Sequence, residues 1–296
     1  MPRACRPEFQ RVSSAHTVSP LRNILLLAGF LGLLAVKSFA HGDVHDRIVL
    51  LTQQISQSPS NASLYFNRAD LYRIDGDYTN ALADLHRTAK LDPTLSRVEF
   101  CIGRAHYEAG QPAAALAPLN RYLARPLKDQ EAYTTRARVL ARLGQYQTAT
   151  DDYATAIGFG SANPELFIER SAAFRAMSKP EEALRTLDTG IRSLGHLVTF
   201  ELPAIEVEVS MKRFDAAIAR IDTVSARLQR KETWLMRRAE VLRQAGRDKE
   251  AQANYHDALA AIDRLPPAHR NTRATLELEG RIRAALSTNT PVVVPR

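Results

Sequence analysis

Eight histidines, two cysteines and 32 carboxylates are the groups through which this 296-residue chain could do chemistry. A metal site gathers imidazoles, thiolates or carboxylates at ligand spacing, and a nucleophilic site sets a base beside its nucleophile. The chain has no pair of cysteines at metal spacing, no HExxH and no glycine-rich phosphate loop. Glu181-Glu182 looks like a solvated helix start, where carboxylates suit the helix dipole. The histidines are scattered, with one exception. A chain beginning at His41 would hold its α-amine and imidazole together with His45 one helical turn on, a group that chelates Cu(II) or Ni(II). A terminal site of that kind lacks the outer hydrogen bonds that fix tuned metal ligands. Metal handling is therefore the alternative reading; no catalytic residue, resident metal or cofactor is expected.

The elements that must position these groups recur at one spacing. Asn61 to Pro93 reads as two short amphipathic helices folded around Gly76, and the pattern that starts at Ala62 returns at Ser96, Gln130, Pro164, Val198 and Glu232. Each start lies 34 residues after the last, without insertion. Position 20 of every copy is alanine: Ala81, Ala115, Ala149, Ala183, Ala217 and Ala251. Position 15 is Gly76, Gly110, Gly144 and Gly246 in four copies, as a turn of unusual backbone conformation requires. Pro112 and Pro180 follow the turn at the start of a second helix, where proline costs nothing. Helices this short gain most of their stability from packing, and stacked copies bury a continuous core.

A 34-residue helix hairpin with these residues resembles the tetratricopeptide repeat from Ala62 to Leu265. Tyr65, Ala69, Tyr72, Ala81, Leu85 and Pro93 carry the likeness in the first copy, and Leu235, Ala239, Leu242, Ala251, Tyr255 and Ala258 in the sixth. The resemblance implies an all-α, right-handed α-solenoid of six units. Position 7 departs from the pattern, being Arg68, Arg136, Arg170 and Arg238. Asp84 and Asp152 stand at position 23 of the first and third copies, so an Arg–Asp pair is expected inside those two hairpins. The fifth copy is the weak one, with Glu201, Ala204, Glu208 and Lys212 at positions 4, 7, 11 and 15 and Pro203 in its first helix. That helix is expected either to start late, with Pro203 in its first turn, or to kink.

Residues 1–40 read as a secretory signal. Arg3, Arg6, Arg11 and Arg22 precede the apolar run Ile24 to Val36, which ends in Ser38-Phe39-Ala40 before a cut at His41. The run is shorter than the roughly 20 residues a bilayer core needs, so cleavage and export to the periplasm are expected over retention as an anchor. Removal leaves 35 basic and 31 acidic residues, a charge of +4 where the full chain carries +8. Nucleic acid is not expected as a partner. Cys5 leaves with the signal, and Cys101 is left without an intrachain partner. Residues 41–61 should form an N-terminal capping helix with Asp43 as its N-cap. Residues 266–287 should form a long C-terminal helix with Leu276, Leu278, Ile282, Ala285 and Leu286 on one stripe, and 288–296 a mobile tail.

In the family the first helices line a concave groove, through positions 2, 5, 9, 12 and 13, that generally holds an extended peptide or a partner's helix. By resemblance, the groove residues here are Phe66, Asp70, Arg73, Phe100, Arg104, Tyr107, Arg138, Arg142 and Arg175, followed by Glu206, Met236, Glu240 and Arg243. The expected function is a non-enzymatic scaffold in the bacterial cell envelope. Its expected partner is a protein or peptide with an acidic stretch and one or two apolar anchors, with Phe66 and Phe100 side by side to receive them. The Lys and Asn set that grips C-terminal carboxylates in the family's cochaperones is missing, so that activity is not expected.

Overall fold

A computed structural model describes residues 43–287, and these are all-α. Residues 1–42, on which the expected signal and His41 fall, and residues 288–296, the expected tail, lie outside the described residues. A first helix, α1, spans 43–57. It is followed by α2 (Ala62–Asp75), α3 (Tyr78–Leu91), α4 (Arg97–Glu108), α5 (Pro112–Leu123), α6 (Gln130–Arg142), α7 (Tyr146–Gly158) and α8 (Pro164–Ala176). Then come α9 (Pro180–Leu194), α10 (Val198–Ser210), α11 (Phe214–Ser225), α12 (Glu232–Gln244), α13 (Asp248–Asp263), α14 (Pro267–Arg270) and α15 (Arg273–Ser287). The chain divides between Thr94 and Leu95 into two compact units. The first holds α1 to α3; the second stacks the remaining hairpins, each second helix packing on the first helix of the next.

Local chemistry sets each hairpin. Asn61, Asp129 and Asn163 cap α2, α6 and α8, their side chains accepting from Ser63, Ala132 and Glu165 N–H at 3.1, 3.0 and 2.9 Å. Every first helix then ends in one closing motif. The N–H of position 16 donates to the carbonyl of position 11 in all six copies, from Asp77 to Tyr72 at 2.8 Å through Arg247 to Leu242 at 2.9 Å. The motif needs a left-handed residue at position 15. Gly76, Gly110, Gly144 and Gly246 supply it with φ between 74 and 84°. Ser178 and Lys212 hold the same place at φ 56 and 58°, so the fold imposes the turn where the residue type does not favour it.

Beyond the turn the two helices approach closely. All six position-20 alanines are wholly buried. In α4 the opposing residue is Gly103, where an added Cβ would sit 2.5 Å from Leu119 Cγ and 3.2 Å from the Ala115 carbonyl oxygen. Gly190 of α9 makes room for Phe200, whose ring packs edge-on to Phe167 at 5.9 Å.

The position-7 arginines of the first and third hairpins do what their spacing predicts. Arg68 grips Asp84 with Nε at 2.7 Å and Nη2 at 2.8 Å, and Arg136 grips Asp152 with both nitrogens at 2.7 Å. Both aspartates are buried, so each bidentate pair is a fixed part of its hairpin.

Repeat five and the two ends of the described residues depart from expectation. The first helix of repeat five does not start late: α10 begins in register at Val198 and carries Pro203 in its interior. Nor is that repeat simply weak, because Glu201 and Glu208 are buried around Arg220 of α11. Arg220 donates to Glu208 at 2.8 Å, to Glu201 at 3.1 Å and to Asp188 of α9 at 3.0 Å. His196 Nδ1 adds a contact of 2.6 Å to Glu201. The repeat has exchanged polarity, with acids on its first helix and the arginine at position 23 of its second. At the C-terminus, the single helix is broken at Asn271-Thr272, where Thr272 Oγ1 accepts from Thr275 N–H at 3.3 Å and so starts α15 afresh. Ile282 is buried on the stripe, whereas Leu276 is 54% exposed and off it. At the other end, Asp43 is already helical within α1, and Ile48 and Ile55 form its buried face.

Arg220→Met should destabilise the second unit by about 3–5 kcal/mol, because it leaves Glu201 and Glu208 buried without their cation. Urea unfolding followed by circular dichroism checks this, and a loss below about 1 kcal/mol would contradict it. Lys212→Gly should stabilise the same unit by about 1 kcal/mol by relieving the left-handed residue, read as a higher urea midpoint with an unchanged slope.

Candidate functional site

The first helices of the second unit present a cleft of about 440 Å³ lined by residues of α4, α6 and the start of α8. Arg104 and Tyr107 come from α4, Glu131, Thr134 and Arg138 from α6, and Asn163 and Leu166 from the edge of α8. The spacing follows from the repeat. Arg104 and Arg138 share position 9, and Thr134 holds position 5 one turn earlier on the same face. Thr134 Oγ1 is buried without a hydrogen-bond partner and lines this cleft. A buried hydroxyl in that state costs free energy until something accepts from it or donates to it.

The cleft's charges are organised as a ladder from one repeat to the next. Arg104 Nη1 donates to Glu131 at 2.7 Å, and Arg97 reaches the other oxygen of the same carboxylate at 3.3 Å. Arg138 Nε donates to Glu169 at 2.9 Å and its Nη2 to Glu165 at 3.4 Å. Arg175 meets Glu206 at 3.4 Å. Burial works against the Arg138 cation, and the hydrogen bond and charge of Glu169 more than offset it, raising its pKa. Burial also pushes the Tyr153 hydroxyl far above the usual phenol range, with the Glu169 charge adding to the effect.

Several of the expected groove residues meet here. Arg104, Tyr107 and Arg138 line the cleft together, and the exposed Arg142 stacks its guanidinium 4.4 Å from the Tyr107 ring centroid. Arg175 lies further along, on α8. Phe100 is a correction: it is wholly buried, packed against Tyr122 at 5.6 Å with the Arg97 and Arg104 guanidiniums 5.1 and 5.3 Å from its centroid. It cannot form an exposed aromatic pair with Phe66. Met236 is likewise buried. In the first unit Phe66 is half-buried, and Arg73 donates to the exposed Asp70 at 3.0 Å. Sequence reasoning missed Thr134, Glu131, Glu165 and Glu169. The acids at position 2, Glu131 and Glu165, were findable, because 27 residues on from each position-9 arginine the same register returns an acid.

His45 lies in α1, whereas His41 lies outside the described residues. Among the described residues, no group of three or more His, Cys, Asp or Glu is placed to hold a metal, and no helix is long and apolar enough to cross a membrane.

Tyr153→Phe tests the buried phenol. A raised folded pKa gives stability that is complete below the unfolded value of about 10 and is lost as pH climbs past it. The variant should therefore lose less stability than the wild type between about pH 9 and 11 in urea titrations, and parallel losses would contradict the assignment.

Comparison with known proteins agrees with this geometry. A family model for the tetratricopeptide repeat matches residues 102–164. The chain is similar to a protein SGT1 homolog of Oryza sativa subsp. japonica, 32% identical over 87 residues that cover 28% of this chain and 24% of that protein. It is also similar to mouse tetratricopeptide repeat protein 36, 41% identical over 61 residues covering 21% and 33% of the two chains. The matched stretch thus spans a third or less of these relatives. Among solved structures, the C-terminal part of a tetratricopeptide repeat-containing protein from Cytophaga hutchinsonii superposes with a TM-score of 0.61 at 14% identity, covering 83% of this chain and 98% of that one. A tetratricopeptide repeat protein from Parabacteroides merdae gives 0.51 at 16% identity, covering 85% and 98%. With six hairpins in one register and a shared closing turn, the described residues have the α-solenoid fold of tetratricopeptide-repeat structures, and residues 102–164 match the sequence model of that family.

Proposed function

We propose that the chain is a non-catalytic scaffold that binds an extended segment or helix of another protein across the first helices of repeats two to four. The fold class is that of protein-interaction scaffolds, and the cleft between α4, α6 and α8 carries the reading: it sets arginine, tyrosine and an unpartnered buried threonine hydroxyl on one open face. Arginine and aromatic residues dominate the energetics of protein interfaces. The partner we propose carries an acidic stretch. Its carboxylates exchange with Glu131, Glu165 and Glu169 for Arg104 and Arg138, so binding replaces intramolecular pairs and does not fill bare charges. Such exchange makes the interface selective, because a partner without acids leaves the ladder closed. The leader-like run before His41 supports placing this scaffold in the bacterial cell envelope, as an exported protein.

The test is cross-linked capture with the full chain. A partner retained by the wild type should be lost with Arg104→Glu/Arg138→Glu while the circular dichroism spectrum stays helical, and it should be retained more strongly by Glu131→Gln. Equal capture by all three proteins would overturn the assignment.

A further inference from the structure

The repeats serve as one another's controls, and one of them lacks a part. Around three of the four position-7 arginines the same two places supply acceptors: position 23 of the hairpin's own second helix and position 25 of the second helix before it. Arg68 has Asp84 and Thr52, the latter from the equivalent place in α1. Arg136 has Asp152 and Asn120, and Arg238 has Asn254 and Asp222. For Arg170 the two places are Thr186 and Ala154. Ala154 has nothing to offer, and Thr186 donates its hydroxyl to the Glu182 carbonyl at 2.8 Å. Arg170 keeps one hydrogen bond, Nε to the Thr150 carbonyl at 3.2 Å, and lies 5.3 Å from the Phe174 ring centroid. Its two Nη atoms make no hydrogen bond among the described residues.

The missing acceptor leaves space as well as charge. A cleft of about 170 Å³ opens there, lined by Arg170, Phe174, Glu182, Arg185, Thr186 and Thr189. Burial lowers the Arg170 pKa, with Asp151 opposing the effect, whereas pairing with Asp84 and Asp152 raises those of Arg68 and Arg136. Arginine does not shed its proton in this range, so the cation stays half-buried without the counter-charge its counterparts possess.

We propose that the cleft between α8 and α9 is a carboxylate-binding site, in which a ligand's carboxylate takes the place that aspartate holds in repeats one and three. The free edge of the guanidinium offers a two-pronged donor whose geometry matches a carboxylate. Thr186 and Thr189 line the wall around it. The acids facing the site are Glu182, which lies 3.6 Å from Arg185, and Asp151 on α7. Their presence selects a compact monoanion and disfavours a dianion such as phosphate. The carboxylate comes either from a small free acid or from an aspartate or glutamate side chain of a bound protein. The site lies on residues distinct from those of the α4–α6–α8 cleft and does not depend on its reading.

The experiment uses the full chain labelled with ¹⁵N arginine and follows the Arg170 Nε–Hε resonance, assigned by its loss in Arg170→Lys. Sodium formate should shift that resonance saturably, and sodium chloride or phosphate at equal ionic strength should not. Thr186→Asp restores the internal partner. Its resonance should already lie near the formate-bound position, ignore formate, and accompany a melting temperature about 2–4 °C higher. Thr186→Asn, which copies repeat six, gives a second variant with a blunted response. Acetyl-Gly-Asp-Gly-amide binding more tightly than formate assigns the site to a protein side chain, and the reverse order assigns it to a free acid. No saturable shift in the wild type, or an equal shift in Thr186→Asp, overturns the proposal.

Discussion

The constraint on which the structure depends is the distance at which the two helices of a hairpin cross. Six wholly buried alanines mark the crossing, and Gly103 shows how little room is left, since one methyl group would overlap Leu119. Helices held this close need a turn of fixed length. That turn needs a left-handed residue, and the requirement is strong enough to hold Ser178 and Lys212 there without glycine. Side chains that enter the crossing must then be satisfied inside it. The Arg–Asp pairs of the first and third hairpins, and the reversed cluster around Arg220 in the fifth, are two solutions to that one problem.

Much of this was legible in the order of residues. The period, the alanine at position 20 and the glycine at position 15 are local properties, repeated often enough to exclude chance. The Arg68–Asp84 and Arg136–Asp152 pairs could be read because both partners belong to one hairpin at a fixed offset. What escaped reading belongs to the next level. Phe100 occupies a position that the family's pattern turns toward the groove, yet Tyr122 and two guanidiniums cover it. Glu201 and Glu208 look like defects in an apolar pattern until Arg220 and Asp188, on two other helices, are placed beside them. The break at Thr272 depends on a side-chain cap that competes with helix continuation by a small margin.

The candidate site follows the same division. Its arginines were identified from their register, and their state was not. Arg104, Arg138 and Arg175 are each held by an acid of the following repeat, 27 or 31 residues away, so the groove is closer to neutral than a tally of its cations implies. Pairs of this kind, partly exposed, contribute on the order of 0–1 kcal/mol each. They are weak enough to be exchanged and ordered enough to fix where each guanidinium points. A scaffold that presents prearranged, replaceable pairs gains selectivity from what it must give up on binding.

The cluster around Arg220 bears on how such a protein can change over time. Repeat arrays grow and shrink by copying or deleting whole modules, which succeeds when each module contacts its neighbours only through interchangeable apolar surface. Here the fifth module borrows Asp188 from the fourth and sets Glu201 against His196 in the connection before it. A duplication that separated them would strand a buried charge, so this junction should act as an inherited seam at which the array resists recombination while other joints remain free to lengthen.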